Sequence, residues 1–317
     1  MPPFVHLHLH SEYSLLDGAN RLDDVCAAAA GMGMPAIALT DHGNLFGAIQ
    51  FHDAARRAGI KPILGIEAYV AVGSHTDRDP ARKSSNHLVL LARDETGYRN
   101  LLKLSTTSYL AGHYYKPRID HELLRRHADG LIGLSACLKG EVCEQLMARD
   151  LDRAEATART YREILGEGNY FLEMQDHGIP AQRDVNEAIR DLARRTEIPL
   201  VLSNDCHYLR RDDARAHDVL LCIGTGRTVE ETDRIRYATD QFYLKSGEEM
   251  AQLFPRDSLA LENTVAIAER CDVTIARDRY HLPEFEAPPG LTKEEYFEKV
   301  AEEGLEVRFA EHRRRAS

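Results

Sequence analysis

The N-terminal stretch Phe4–Ser11 (FVHLHLHS) constrains the fold of this chain more than any other segment. Apolar and imidazole side chains alternate there, which is the period of a β-strand, so His6, His8 and His10 are predicted to share one face. Three imidazoles on one face suit a metal site far better than a hydrophobic core. The simpler interpretation, a surface strand with scattered histidines, is disfavoured by the polar residues that follow other predicted strands. We expect His6 to lie deeper, as a packed or supporting imidazole.

Composition sets the broad class of the protein. The chain has 317 residues, 43% hydrophobic and 29% charged, as in soluble globular proteins, and this length allows one large domain or two medium ones. A net charge of −11 excludes a generally basic surface for nucleic acid, so any DNA contact must come from local patches or bound metal ions. The six cysteines form no CxxC pair, and the sequence shows neither a signal peptide nor a membrane-spanning run. We therefore expect a cytoplasmic protein with reduced thiols and no membrane partner.

Short apolar runs alternate with helical patterns along most of the chain. This alternation is typical of βαβ units and a parallel sheet, and about seven such units indicate an α/β barrel. After the first strand, the predicted strands are Pro35–Thr40, Ile63–Val70, His87–Ala92, Gly130–Ser135, Tyr170–Met174 and Pro199–Ser203. The predicted helices are Arg21–Met32, Leu45–Ala58, Glu95–Leu110, His121–His127, Gly140–Ala148, Asp152–Leu165, Ala181–Thr196, Asp213–Ile223, Gly247–Phe254 and Ser258–Cys271.

The composition changes near residue 280, which predicts a barrel domain over residues 1–280 and a different segment over 281–317. Leu282–Phe285 and Ala287–Gly290 are typical of a linker, and an amphipathic helix is predicted from Thr292 to about Glu311. A helix with no following partner suggests a chain truncated from something longer. The alternative is a mobile C-terminal tail.

In barrels the chemistry gathers at the C-terminal ends of the strands. The polar residues that follow the predicted strands are ligand types of borderline transition metals: His8, His10, His42, Glu67, Cys137, Asp205 and His207. Asp205 and His207 are two apart and should share a face, with Cys206 pointing away. His87 does not fit this rule because it precedes its strand. Either that strand begins earlier or it runs antiparallel to its neighbours.

Five segments together resemble one known family. They are Phe4–Gly18, Thr40–Gly47, Gly59–Val70, Tyr115–Asp120 and Asn204–Tyr208. They resemble the PHP (polymerase and histidinol phosphatase) domain at the N-terminus of the bacterial replicative DNA polymerase III alpha subunit. The resemblance extends over essentially the whole chain and implies a distorted (β/α)7 barrel of the PHP type, with its metal site at the C-terminal ends of the strands. Leu282–Phe285 and Gly290 onward resemble the opening of that family's palm domain, truncated here.

The resemblance also implies a catalytic metal site of nine side chains, none of which is missing from this sequence: His8, His10, Asp17, His42, Glu67, His87, Cys137, Asp205 and His207. It implies three divalent ions, zinc and/or manganese. One would be held by His8, His10 and Asp205, and one by His87 and Cys137, with Glu67 bridging this pair. The third would be held by Asp17, His42 and His207.

The implied function is that of a metal-dependent phosphodiesterase, a 3′–5′ proofreading exonuclease on DNA, in a fragment that lacks the polymerase active site. Expected partners are single-stranded or mispaired DNA ends, the remainder of the polymerase chain and other replisome subunits, including a separate exonuclease subunit. A loop with Tyr114, Tyr115, Lys116 and Arg118 could stack a base and hold the backbone, or it could be ordinary barrel-edge packing. Two alternatives stay open: a phosphate monoesterase of histidinol-phosphatase type, and a metal-stabilised structural module that docks a partner exonuclease.

Overall fold

The fold is a curled, mixed β-sheet covered by helices, given by a computed structural model that describes residues 2–276 and 282–316. Within those residues the sheet has seven strands in the order β1-β2-β3-β5-β6-β7, with β4 paired to β2. The strands are β1 (Ala36–Leu39), β2 (Lys61–Ala71), β3 (Ser85–Ala92), β4 (Arg118–Ile119), β5 (Leu131–Leu134), β6 (Tyr170–Met174) and β7 (Leu200–Leu202). The predicted α/β class is confirmed, and β4 is a short strand that the sequence analysis did not predict.

Strand β3 is antiparallel to both of its neighbours, β2 and β5, whereas the pairs β1–β2, β2–β4, β5–β6 and β6–β7 are parallel. The beginning of β3 therefore lies at the edge of the sheet where the parallel strands end. His87 is the third residue of β3, so the reversed strand places it at the edge that carries the other predicted ligands. This accounts for the one residue that did not fit the parallel-barrel rule.

The N-terminal segment closes the sheet into a distorted barrel. On one side it pairs with β1, where the amide of Thr40 donates to the carbonyl of Leu9 at 2.9 Å. On the other side it pairs with the chain that follows β7, where the amide of His10 donates to the carbonyl of Cys206 at 2.8 Å. The segment thus occupies the gap between the first and last strands.

This segment is extended but bends at His8, which corrects the prediction that its three histidines share a face. Before the bend, Val5 and Leu7 point into the barrel core. His6 alternates with them and points away, with its ring atoms 2.8 Å from the carbonyl oxygen of Lys245 and 3.3 Å from the Cys206 sulfur. His6 is therefore a packed imidazole, and the bend returns His8 to the barrel mouth.

The barrel core is built from inward-facing residues of the strands. Its members include Val5, Leu7, Ala36, Ala38, Ile63, Val89, Leu91, Ile132, Leu134, Phe171 and Val201. Ile267 and Ala268 join the same core from the last helix of the barrel unit. The chain just after this helix pairs with the far end of β3, where the amide of Asp272 donates to the carbonyl of Arg93 at 2.8 Å. Apolar packing thus fills the barrel at the end opposite to His87.

The helices follow the predicted ones closely, with ends that differ by up to three residues except at the C-terminal end of the last helix. They are α1 (Leu22–Gly31), α2 (Ala48–Arg57), α3 (Glu95–Leu110), α4 (His121–Arg126), α5 (Glu141–Met147), α6 (Leu151–Leu165), α7 (Pro180–Thr196), α8 (Ala214–Thr225), α9 (Gly247–Leu253), α10 (Ser258–Arg270) and α11 (Lys293–Ala316). None of the helices in the described ranges is long and apolar enough to cross a membrane.

The chain divides into two units, Met1–Thr274 and Ile275–Ser317. The second contains α11, which begins with a capping box: the Glu295 amide donates to Thr292 Oγ1 at 3.2 Å and the Thr292 amide to the Glu295 carboxylate at 2.8 Å. The predicted boundary between residues 280 and 281 lies outside the described residues. The assignment of 281–317 as a linker and the start of a palm-like region stays a prediction.

Candidate metal centre

The structure brings all nine predicted ligands together at one end of the barrel. His8 and His10 lie in the N-terminal segment, and Asp17 lies in the turn after it. Glu67 belongs to β2 and His87 to β3. The others lie in loops that follow strands: His42 after β1, Cys137 after β5, and Asp205 and His207 after β7. Because these segments are distant in sequence, only the folded barrel assembles the site.

Glu67 lies at the middle of the cluster with its side chain 1% exposed. One carboxylate oxygen, Oε1, is 2.7 Å from Nδ1 of His87 and 3.3 Å from Nε2 of His8. The other, Oε2, is 2.5 Å from Nδ1 of His42 and 3.7 Å from Nε2 of His10. A carboxylate with imidazoles around both oxygens has the position that a bridging ligand requires.

Asp205 holds one side of the cluster. Its Oδ1 is 3.1 Å from Nε2 of His10, 3.3 Å from Nε2 of His8 and 3.6 Å from Nδ1 of His207. The backbone of Asp205 is left-handed, with φ 43°, and so is that of Ala136, directly before Cys137, with φ 63°. Non-glycine residues rarely adopt this conformation, and strain of this kind concentrates at functional sites.

Asp17 completes the opposite side. Its Oδ1 is 3.4 Å from Nε2 of His42, and its Oδ2 is 3.9 Å from Nε2 of His207. The Tyr237 hydroxyl donates to Oδ2 at 3.4 Å, and Nε2 of His217 donates to the Asp17 carbonyl at 2.7 Å. These contacts add to backbone hydrogen bonds from Asp17 and Gly18 to the Ser14 carbonyl and so fix the turn.

Many buried ligand atoms in this cluster make no hydrogen bond of normal geometry among the described residues, although some lie close to an opposite charge, as His42 Nδ1 does to Glu67 Oε2. Buried polar atoms are normally paired, so a group of unpaired ones facing a common point needs an explanation. The atoms are His8 Nε2, His10 Nε2, Asp17 Oδ1, His42 Nδ1, Glu67 Oε2, Asp205 Oδ1 and His207 Nε2. Imidazole, carboxylate and thiol donors at this spacing fit divalent cations such as zinc or manganese.

The electrostatics of the protein alone also indicate a cation site. Burial opposes ionisation, but the surrounding imidazoles hold the pKa values of Glu67 and Asp205 well below their ordinary values. Burial also opposes protonation of His42, yet the carboxylates of Glu67 and Asp17 raise its pKa to about 10. Burial and the nearby carboxylates raise the pKa of the Cys137 thiol well above its ordinary value. Without a metal, positive charge at the site is therefore supplied by protons on imidazoles.

Behind His8 lies a buried network that the sequence analysis missed. Oε1 of Glu173, in β6, accepts a hydrogen bond from Nδ1 of His8 at 2.8 Å. The same oxygen accepts from Nε2 of Gln175 at 2.9 Å and from the Ser203 hydroxyl. Because the carboxylate can only accept, the Nδ1 of His8 carries a hydrogen, so in the neutral ring the Nε2 lone pair faces the cluster. A lone Glu inside the apolar run YFLEM was the signal that could have identified this residue.

A second network orients His10. The Ser14 hydroxyl donates to Oδ1 of Asp41 at 2.7 Å and lies 3.1 Å from Nδ1 of His10. Since Ser14 uses its hydrogen on Asp41, it accepts the Nδ1 hydrogen of His10. This arrangement leaves Nε2 of His10 directed at Asp205.

The four residues predicted to bind DNA are placed very differently. Tyr115 is 68% exposed, Lys116 is exposed, and Tyr114 is partly covered. Arg118, by contrast, is 1% exposed, and its guanidinium donates to the backbone carbonyls of four residues, Gly112, Arg82, His75 and Asp77. The structure therefore contradicts a DNA-binding role for Arg118, whose charge organises the surrounding loops. Lys116 remains a candidate.

Comparisons with known proteins identify related sequences. The sequence matches the PHP domain family over residues 6–177. It is 47% identical over 310 residues to the DNA polymerase III subunit alpha of Treponema pallidum (strain Nichols), covering 97% of this chain and 26% of that protein. It is 43% identical over 317 residues to the corresponding subunit of Thermus aquaticus, covering 96% and 26%.

The chain thus spans about a quarter of the length of the curated relatives it matches. Among solved structures, it is similar to a chain assigned as a metal-dependent phosphoesterase from Bifidobacterium adolescentis. That likeness has a TM-score of 0.44 and 14% sequence identity, and it covers 65% of this chain and 88% of the other.

Proposed function

Because this chain belongs to the PHP domain family, we propose that its metal centre hydrolyses phosphoesters and removes nucleotides from the 3′ end of DNA. We further propose that it does so as the N-terminal domain of a replicative DNA polymerase alpha subunit, with the rest of that polypeptide and other replisome subunits as partners. The observation that carries the proposal is the cluster of nine donor side chains at the barrel mouth, seven of which present a buried atom that makes no hydrogen bond of normal geometry among the described residues.

The residues would hold three divalent ions, zinc and/or manganese. His8, His10 and Asp205 would form one group of ligands, and His87 and Cys137 would form a second. Glu67 would be shared by these two groups. Asp17, His42 and His207 would form the third. Divalent ions that share one cluster of ligands would suit in-line displacement at phosphorus, since such ions polarise the phosphoryl group and activate water.

The protein's own side chains supply orientation and charge. The networks behind His8 and His10 hold their Nε2 atoms toward the site. Tyr237, whose ring lies 5.0 Å from that of His207 and whose hydroxyl donates to Asp17 Oδ2, packs between two of the predicted ligands. Lys116 is exposed, with its ammonium 5.1 Å from the centre of the Tyr69 ring, and can hold a phosphate of an entering strand.

The choice of a DNA 3′ end as the substrate rests on the similarity to the alpha subunits of DNA polymerase III. A phosphate monoester is the competing substrate because a metal centre of this kind can act on either class. The third alternative is a metal centre that stabilises a docking module without catalysis.

One experiment separates these three functions. The 317-residue chain, loaded with manganese or zinc, is incubated with 5′-labelled single-stranded or 3′-mispaired DNA, and in parallel with a chromogenic phosphate monoester. We expect stepwise shortening from the 3′ end and no primer extension. Turnover of the monoester with intact DNA would assign the site to the phosphatase class. Activity on neither substrate, with metal confirmed bound, would leave the docking module.

A further inference from the structure

Two exposed aromatic rings lie beside each other near the metal centre, and no function has been assigned to them. Phe46 is 56% exposed and Tyr109 is 39% exposed, with ring centres 6.0 Å apart and planes inclined by 40°. Single exposed apolar residues are common on soluble proteins, but paired exposed aromatic rings beside a functional site indicate a binding surface.

Phe46 is rigidly connected to a metal-ligand residue. It lies four residues after His42, and the backbone amide of Phe46 donates to the side-chain oxygen of Asn44 at 3.0 Å. The side-chain amide of Asn44 in turn donates to the carbonyl of His42 at 3.0 Å. Asn44 is itself buried, so this short loop holds the Phe46 ring at a fixed position relative to the metal centre.

The loop that carries Lys116 packs directly against the Phe46 loop. Gly43 has φ +63°, and a Cβ there would lie 2.8 Å from Pro117 and 3.0 Å from the Tyr69 ring, so only glycine permits this approach. The Tyr69 ring lies 6.1 Å from the His42 ring and beneath the Lys116 ammonium. The loops that carry His42, Lys116 and Phe46 are therefore adjacent, and the Phe46 ring lies beside that of Tyr109.

We propose that Phe46 and Tyr109 form a stacking platform for the bases of single-stranded DNA next to the metal centre. This inference rests on the proposed function and specifies the form of its substrate. Stacking needs bases that are free of their partners, so the platform would make the site act on a single-stranded or frayed end. Lys116 would hold the backbone while the rings hold the bases.

The combination of groups favours a nucleic-acid strand over an apolar protein segment. An apolar protein segment would be recognised mainly by apolar contact, whereas here a lysine ammonium and the cation-binding cluster lie near the rings. A ligand that is anionic along its backbone and aromatic in its side groups satisfies both features. Single-stranded DNA has this chemistry.

The test measures DNA affinity separately from hydrolysis. Binding of a labelled single-stranded oligodeoxynucleotide is measured by fluorescence anisotropy in an Asp205→Asn background, so that the DNA is not consumed. An abasic oligomer of equal length serves as the matched ligand, since it has the same backbone charge without bases. Phe297→Ala, which removes a ring 76% exposed on α11, serves as the matched protein control.

We expect Phe46→Ala and Tyr109→Ala each to weaken oligonucleotide binding about tenfold, within the range known for base stacking on aromatic residues. Tyr109→Phe should bind normally, and Phe46→Leu should bind as weakly as Phe46→Ala because it keeps an apolar group without a ring. Affinity for the abasic oligomer should not change. Parental affinity in Phe46→Ala, or an equal loss with the abasic oligomer, would overturn the platform.

Failure of the platform and failure of the proposed function give different results. With Asp205 intact, Phe46→Ala should shorten DNA less efficiently, whereas the control Phe297→Ala should shorten DNA and hydrolyse a small chromogenic phosphodiester at the parental rates. If the parent protein hydrolyses no substrate, the exonuclease proposal fails, and the affinity comparison still decides whether the rings stack bases.

Discussion

Replacement of Glu173 by glutamine tests whether a buried carboxylate tunes the metal site through His8. Glu173 is not one of the nine predicted ligands, and its Oε1 accepts the Nδ1 hydrogen of His8 at 2.8 Å. Glu173→Gln keeps the size and one acceptor oxygen but removes the negative charge. The variant also permits the other His8 tautomer, in which the hydrogen moves to Nε2 and blocks the donor atom that faces the cluster.

The size of the effect follows from the type of hydrogen bond. A bond to a charged group contributes about 1.5–3 kcal/mol, and a neutral one about 0.5–1.5 kcal/mol. The difference of about 1–1.5 kcal/mol corresponds to roughly a tenfold loss of metal affinity, which is the lower end of the range for residues that support metal ligands. Glu173→Ala removes the acceptor altogether and should lose roughly a hundredfold.

Metal affinity is measured by competition with a chromophoric chelator at fixed pH. Asp120→Asn is the matched control because Asp120 also pairs with a histidine, His75, at 2.6 Å, and both are largely buried outside the metal centre. The control should lower the melting temperature without changing metal affinity. Parental affinity in Glu173→Gln, or the same loss of affinity in Asp120→Asn, would refute the reasoning.

Three further predictions concern the metals and the substrate. Removal of metal by a chelator should lower the melting temperature, as measured by calorimetry, because the ligands join separate strands of the barrel; equal melting temperatures would contradict this. Asp205→Asn should reduce hydrolysis of DNA and of a small phosphodiester by orders of magnitude, whereas Lys116→Ala should raise only the KM for DNA, with bound metal unchanged in a metal assay. Metal loading near neutral pH should release protons, because the pKa of His42 is raised to about 10 and that of Cys137 is also raised. Apparent metal affinity should therefore increase with pH. Titration with metal in a pH-stat measures the protons that are released. A pH-independent affinity without proton release would contradict this prediction.

Most of the strands and helices could be predicted because their apolar periodicity is local. The strand Tyr170–Met174 and the helix Glu95–Leu110 have the predicted limits, since each is bounded by residues that stop the pattern. The direction of a strand relative to its neighbours in the sheet is not encoded in its local sequence. Nothing in the run SNHLVLLA states that β3 runs antiparallel, yet that reversal is what brings His87 to the metal centre.

The errors in the site prediction have a common physical origin. Strand alternation placed His6 beside His8, but a bend at His8 changes which residues face inward. Arg118 was assigned to a loop that could hold a DNA backbone, with ordinary barrel-edge packing as the alternative, and carbonyl groups from four residues satisfy its guanidinium in the interior. Both outcomes depend on contacts between segments distant in sequence, which no local pattern contains.

The charge distribution connects the metal centre to substrate recognition. A protein with net charge −11 repels DNA over most of its surface, so attraction must be local. Three divalent ions would carry six positive charges, against four negative ones from Asp17, Glu67, Asp205 and a Cys137 thiolate, so the loaded cluster would be cationic. That attraction falls off within about 10 Å at moderate salt and cannot hold a long strand by itself. Under the proposed function, contacts beside the mouth would supply the rest of the affinity, and the proposed platform of Phe46 and Tyr109 together with Lys116 would be among them.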